Sequence, residues 1–312
     1  MADETHEPTE SAPMVPSEDT AHDAIGALDH NGDHRSGFVT FVGRPNVGKS
    51  SIVNAICGRK ISIVSDKPQT TRHRIMGVLT RPDSQLVFVD TPGLHKPVTA
   101  LGERVNATAL GSVDDVDVTA LVLDATKPFG KGDRWVANRL DMENSIVVVN
   151  KTDRASPEQV LAMLTAASDL GAREYFPVSA RTGEGIDVLV AHLTEGLPLG
   201  PRFFPEDEVS DLPEERWVAE LVREQLLAAT RDELPYSIAT QVVEWEWPRI
   251  RVDIIVERDS QKGMVIGKGG SVLKRAGEAA RRQLPDGVFL ELRVKVDKDW
   301  QRRPERVERL GY

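Results

Sequence analysis

Phe38-Val39-Thr40-Phe41-Val42-Gly43-Arg44-Pro45-Asn46-Val47-Gly48-Lys49-Ser50 is the stretch that decides the fold. A short apolar run ends in a glycine loop, and a helix-compatible segment follows over 49–57. The loop fits G-x-x-x-x-G-K-[ST] with a strand before it and a helix after it. A glycine turn that matched by chance would need neither flank. Glycines let the backbone wrap closely around phosphates, so that successive N–H groups point inward. The helix N-terminus adds its positive end. In that setting Lys49 reaches β- and γ-phosphates and Ser50 ligates Mg²⁺.

Working outward, 85–90, 118–124, 145–150 and 175–179 read as further buried strands, each followed by room for a helix. Strands alternating with helices predict an α/β domain over 37–200, mostly parallel, with helices on both faces. The polar residues Gly43, Asp90, Asn150 and Ser179 fall at the carboxyl ends of these strands. That is the edge where open α/β sheets bind ligands.

Two further motifs stand there. Asp90-Thr91-Pro92-Gly93-Leu94 puts a carboxylate at a strand end, placed to hold Mg²⁺, and Gly93 can offer its N–H to a γ-phosphate. Asn150-Lys151-Thr152-Asp153 decides the base. A carboxylate at Asp153 accepts both N1–H and the exocyclic amine of guanine, a donor pair that adenine lacks. Sites built on such pairs discriminate by about 10⁴ or more. Lys151 can lie along the base, Asn150 can brace the loop, and Ser179-Ala180 offers a backbone N–H to the guanine O6. GTP and GDP with Mg²⁺ are the expected ligands.

The net charge of −10 misleads about partners. Residues 1–36 carry nine acids and one base, whereas 216–312 carry 16 acids and 19 bases. Most of the acidity sits in a polar tail over 1–36, expected to be disordered because it cannot bury enough apolar surface. The single cysteine, Cys57, excludes an intrachain disulfide and fits the cytosol. It falls among apolar residues of the first helix, as a small core residue would. The tail lacks the basic start and apolar stretch of a signal peptide.

Around 201–216 the chain turns acidic and proline-rich, a linker. Beyond it, a helix over 217–231, strands over 237–245 and 250–257, a helix leading through the glycine-rich stretch 263–270 into a loop, a helix over 271–284 and a strand over 288–296 form an α+β domain spanning 217–312. Gly267-Lys268-Gly269-Gly270 supplies G-x-x-G between two helices, and 262–303 carries eleven bases against five acids. A glycine cap alone would explain the loop. The order of elements makes a KH domain of the second topological type the better reading, with Lys268, Lys274 and Arg275 toward RNA and Val265 and Ile266 lining the groove. No residue of the sequence shows how the halves communicate.

The nucleotide motifs resemble the translation-factor-like class of P-loop GTPases over about 37–200. The resemblance implies that 67–74 is the first switch loop, supplying a threonine to Mg²⁺, with Thr71 favoured over Thr70. Ras-like enzymes place a Gln after the glycine of the third motif to orient water. Leu94 stands there instead, so slow intrinsic hydrolysis is expected. In related potassium-activated GTPases an Asn at the place of Asn46 helps to bind K⁺. It equally serves to shape the loop. His73 and His95 read as exposed loop residues rather than general bases.

Over 37–312 the chain resembles the bacterial Era family. The residues that carry the likeness are the switch sequence Pro68-Gln-Thr-Thr-Arg-His-Arg74, Phe204-Pro-Glu-Asp207, Glu233-Leu-Pro-Tyr-Ser237, Val265-Ile-Gly267 and Leu310-Gly-Tyr312. The resemblance implies binding near the 3′ end of 16S ribosomal RNA, a role in 30S subunit assembly, a cytoplasmic location and peripheral contact with the inner face of the cell membrane. A monomer is favoured. The competing readings are a signalling GTPase whose second domain binds protein, and a metabolic P-loop ATPase.

Overall fold

The computed structural model describes residues 33–94, 99–111, 116–230 and 233–312. The tail over 1–32 and His95 lie outside them. Strand β1 (Arg35–Val42) begins before the expected tail boundary, so Arg35 and Ser36 belong to the sheet. Its neighbours are β3 (Ser84–Asp90) and β4 (Val118–Asp124), followed outward by β5 (Ser145–Asn150) and β6 (Tyr175–Pro177). The sheet order is β2-β3-β1-β4-β5-β6, parallel except for β2 (Ile75–Thr80), which runs antiparallel to β3. Sequence reading passed over β2, because Gly77 interrupts a short mixed run. That glycine is required by packing, since a Cβ would meet Val53 Cγ1 at 2.9 Å.

Helices α1 (Lys49–Cys57) and α5 (Ile186–Gly196) cover one face, with Ile52, Val53, Leu189 and Leu193 packed on Phe41 and Phe88. The other face carries α3 (Lys131–Ala137) and α4 (Pro157–Ser168), and Ala109 of α2 (Ala100–Gly111) packs there too. The central strands are buried on both faces, which is why they read as unbroken apolar runs.

The expected linker is not a loose tether. Val78 N donates to Val209 O, Met76 N donates to the Asp211 carboxylate, and the N–H groups of Phe203 and Phe204 donate to Gln85 Oε1. The segment therefore covers the edge strand β2, whose backbone groups would otherwise stand open.

In the second half, β7 (Ala239–Glu246), β8 (Arg249–Val256) and β9 (Phe289–Val296) form a sheet in that order. Its core takes residues from α6 (Glu214–Ala229), α7 (Asp259–Ile266) and α8 (Ser271–Arg281). As the order of elements requires, a helix precedes the glycine turn: Gly263 to Ile266 are helical, and the turn is confined to Gly267–Gly270. A short helix, α9 (Pro304–Arg309), was also not anticipated.

Helix α6 lies between the halves. Val218, Leu221, Val222 and Leu226 enter the second core, as its periodicity predicts. Glu220, Arg223 and Glu224 are buried as well, on the side toward the first domain. A second seam joins Leu101 and Val105 of α2 to Trp300, Val307 and Tyr312.

Candidate functional site

The phosphate loop closes on itself through contacts that demand glycine. Gly48 has φ +102, and a Cβ there would meet Asn150 Nδ2 at 2.2 Å. Asn150 Nδ2 donates to Val47 O at 2.9 Å, and its Oδ1 accepts from Ala180 N at 3.1 Å. One buried asparagine thus ties the phosphate loop, the base loop and the 179–180 loop together. The Ala180 N–H expected to meet guanine O6 is engaged by Asn150 here. Three of the four described non-glycine residues at positive φ are Asn46, Gln69 and Lys151, all around this site. Such backbone strain persists where surrounding structure holds it.

Lys49 is buried and donates to Gly43 O and Arg44 O at 3.3 Å. Burial draws its pKa down to about 8, with Asp90 opposing. Ser50 Oγ and Thr71 Oγ1 lie 2.8 Å apart, and Thr71 reaches Asp90 Oδ2 at 3.5 Å. Burial pushes the Asp90 carboxyl up, and the hydroxyls of Ser62 and Ser50, the Lys49 ammonium and Thr71 oppose that rise. Asp90 Oδ1 is buried without a close hydrogen-bond partner. Two hydroxyls and an under-satisfied carboxylate form a hard oxygen set that fits Mg²⁺, which holds few protein ligands and keeps the rest for water and phosphate. Thr70 turns elsewhere, donating to Lys67 O at 2.7 Å. Ser62, fully buried beside Asp90, was missed because an isolated serine in an apolar run carries no spacing signal.

At the base end, Asp153 accepts from Ser179 Oγ at 2.8 Å, and Arg181 Nε stands 2.7 Å from its other oxygen. These partners, Ser179 first, hold the carboxyl below the usual range. Lys151 Nζ is anchored by Asp124 at 2.7 Å and by Asn46 O at 2.5 Å. Asp124, Lys127 and Arg154 line the same cavity, of about 420 Å³, and motif reading had not singled them out. Thr152, Thr91 and Pro92 complete the loops, and Thr91 Oγ1 donates to Phe41 O. Gly93 backs onto Pro45, whose Cα and N would lie 2.8 Å from a Cβ.

Leu94 faces the core. It is 1% exposed and packs among Val42, Ala109, Leu121 and Leu123, with its N–H donating to Gly43 O. Asn46 Nδ2 donates to Asp66 O at 2.5 Å, joining the phosphate loop to the residue that precedes the switch. His73 is no exposed loop residue. It stacks on Tyr312 at 4.6 Å beside Arg216, and burial holds its pKa down at about 4. Cys57 is half-buried against the core, and burial raises its thiol to about 12, so it stays protonated.

In the second half, Val265 is fully buried in the core, which corrects its expected place in the groove. Ile266 packs on that core, partly exposed. A cavity of about 400 Å³ runs along α8 and β9 instead, lined by Gly270, Leu273, Lys274, Gly277, Leu290 and Leu292. Lys268, Gly269 and Arg275 are exposed and stand outside its lining. Gly267 has φ +73, and a Cβ would meet Val272 at 2.6 Å, so this loop position needs glycine for folding as well as for access.

Fold and site together define a P-loop GTPase joined to a KH domain. Two family models match, one described as a 50S ribosome-binding GTPase over 38–151 and one as a KH domain over 233–301. The GTPases Era of Mycobacterium sp. (strain KMS) and Mycobacterium tuberculosis are each 46% identical, over 90% of this chain and 99% of theirs. The chain belongs to the Era family and is a GTPase. Two solved Era structures superpose with TM-score 0.84 at 38% identity, over 89% of this chain and 99% of theirs. One holds MgGDPNP and nucleotides 1506–1542 of 16S ribosomal RNA; the other, a variant from Aquifex aeolicus, holds GDP and aluminium fluoride. No helix among the described residues is long and apolar enough to cross a membrane.

Proposed function

We propose that this GTPase is a switch that binds small-subunit ribosomal RNA near its 3′ end and assists 30S assembly. The observation that carries the reading is the α8–β9 groove: an apolar floor of Leu273, Leu290 and Leu292, with Lys274 at its edge and Lys268 on the glycine turn. Apolar floors accept unstacked bases, and Lys274 and Arg281, with Glu278 between them, leave the rim net basic toward phosphates. Gly277 supports it, since a larger residue would crowd Leu292 at 3.1 Å. The related Era bound to 16S RNA nucleotides supports the identity of the RNA.

On the nucleotide side, the bound metal would supply charge neutralisation at the phosphates. Ser50, Thr71 and Asp90 would hold it, and Lys49 would neutralise phosphate oxygens. Asp153, flanked by Asn150, Lys151 and Ser179, would read guanine. Core-facing Leu94 leaves water placement to other groups, so unassisted hydrolysis is slow. Asn46, bridging the phosphate loop and the residue that precedes the switch, is the residue through which K⁺ would act.

The test is binding of a 3′ small-subunit RNA fragment against salt, with Lys268→Glu and Lys274→Glu alongside the parent. Affinity should fall with added salt, with a shallower slope in the variants. A salt-independent affinity overturns the groove reading. Equal hydrolysis rates in potassium and sodium buffers of matched ionic strength would remove the role given to Asn46.

A further inference from the structure

The segment from Lys60 to His73, which runs into the first switch loop, is held by the second domain at five of its residues. Lys60 Nζ meets Glu224 Oε2 at 2.5 Å and Gln283 Oε1 at 2.6 Å, and Val64 N donates to Glu224 Oε1 at 3.0 Å. The Arg223 Nη2 donates to Thr70 O. Arg72 crosses the other way, donating to Ile238 O at 2.7 Å and Tyr236 O at 2.9 Å, with its guanidinium over the Tyr312 ring. Arg216, at the start of α6, contacts His73. The positions 216, 220, 223 and 224 share one helix face.

Thr71 sits between the two arginine crossings. Its carbonyl-side and amide-side neighbours are both fixed from the second domain, while its own hydroxyl stands 2.8 Å from Ser50. Arg223 is completely buried, and Glu220 orients it through Nε to Oε1 at 2.8 Å and Nη2 to Oε2 at 2.5 Å. Apolar side chains of similar volume would pack α6 as well or better than a buried ion pair. A guanidinium is needed only if something must be held by its donors, and what it holds outside its own helix is the Thr70 carbonyl.

We propose that Arg223, oriented by Glu220, is a positioning residue for GTP hydrolysis: by fixing the Thr70 carbonyl it sets the Thr71 hydroxyl at the metal cradle, so the second domain completes the GTPase site. This rests on the reading of Ser50, Thr71 and Asp90 as that cradle. It also places the coupling of the halves at α6 rather than in the segment over 201–213. By linkage, whatever shifts α6 changes GTP affinity, and GTP biases α6 by the same free energy.

The test uses the full chain carrying Glu220→Leu with Arg223→Met, which removes the buried pair together rather than leaving either partner without the other. Affinities for GDP and for a non-hydrolysable GTP analogue are measured with Mg²⁺, together with kcat, KM and the melting temperature. The analogue should bind about tenfold more weakly and kcat should fall about tenfold, with GDP affinity within about twofold of the parent. An unchanged analogue-to-GDP ratio overturns the proposal, and so does equal weakening of both nucleotides, which marks a merely structural role. If the double variant does not fold, Arg223→Lys keeps the charge with a shorter reach. It should show the same selective loss in smaller measure, and parent-like kcat and ratio overturn the proposal. Combined with Thr71→Ala, the losses should be less than additive, because both act through one hydroxyl; full additivity overturns it. The cradle itself is checked separately in the parent. If removing Mg²⁺ leaves analogue affinity unchanged, the cradle reading fails and the proposal with it.

Discussion

Ser50 Oγ and Thr71 Oγ1 stand 2.8 Å apart across the mouth of the phosphate loop, one from the start of α1 and the other from the switch. Thr70, its neighbour, points to Lys67 O instead. Thr71→Ala should therefore weaken a GTP analogue more than GDP and slow turnover by roughly tenfold or more, since it removes one hydroxyl of the proposed metal cradle. Thr70→Ala should change turnover by less than about threefold. Comparing the two in single-turnover hydrolysis decides between the threonines.

Leu94 suggests an instructive failure. Leu94→Gln restores the residue type that orients water in Ras-like enzymes, yet this side chain is in the core among Val42, Leu121 and Leu123. The variant should not hydrolyse GTP faster. It should lose about 1–3 kcal/mol of stability from a buried amide without partners, measured by denaturant unfolding.

Asp153 is held ready by Ser179 and Arg181. Asp153→Asn should weaken GDP by about a hundredfold or more and raise the relative affinity for xanthosine diphosphate, since the amide offers a donor where guanine N2 is also a donor. Competition binding of the two nucleotides provides the measurement.

Lys49 titrates near pH 8 in the nucleotide-free protein because burial disfavours its charge. Phosphates favour the charged form, so the bound pKa is higher and binding takes up a proton between the two values. At pH 8.5 the uptake should approach roughly three-quarters of a proton per nucleotide. Calorimetry in buffers of different ionisation enthalpy reads this, and no uptake would show that Lys49 stays charged.

His73 links pH to the seam between the domains. Its folded pKa of about 4 lies below the ordinary 6.5, with burial as the main cause and Arg216, Arg223 and Arg72 adding to it against Glu220. Between those values the unfolded chain binds more protons than the folded one. The contribution is complete above about pH 6.5 and is lost as pH falls toward 4, amounting to at most ~3 kcal/mol. The melting temperature should fall more steeply from pH 6.5 to 4.5 in the parent than in His73→Phe, which keeps the stack on Tyr312 without titrating.

Each nucleotide motif is a run of adjacent residues whose spacing is dictated by the ligand. Gly43 to Ser50, Asp90 to Gly93 and Asn150 to Asp153 were therefore legible as chemistry before any fold was known. The central strands were legible too, because burial on both faces leaves an unbroken apolar run. The edge strand β2 was not, since one short strand with a glycine at its centre carries no such pattern. Val265 shows the limit for the second domain: an apolar residue beside a ligand loop reads the same whether it lines the groove or fills the core.

The amino-acid order by itself determined the nucleotide, its base and the two kinds of domain, since these rest on local backbone shape and on side chains a few residues apart. Only the tertiary structure decided which threonine stands at the cradle, that Leu94 faces inward, and that Arg223 reaches Thr70 across 153 residues of chain. Those relations join groups far apart in sequence, and burial and hydrogen-bond satisfaction fix them only once both domains have closed on α6.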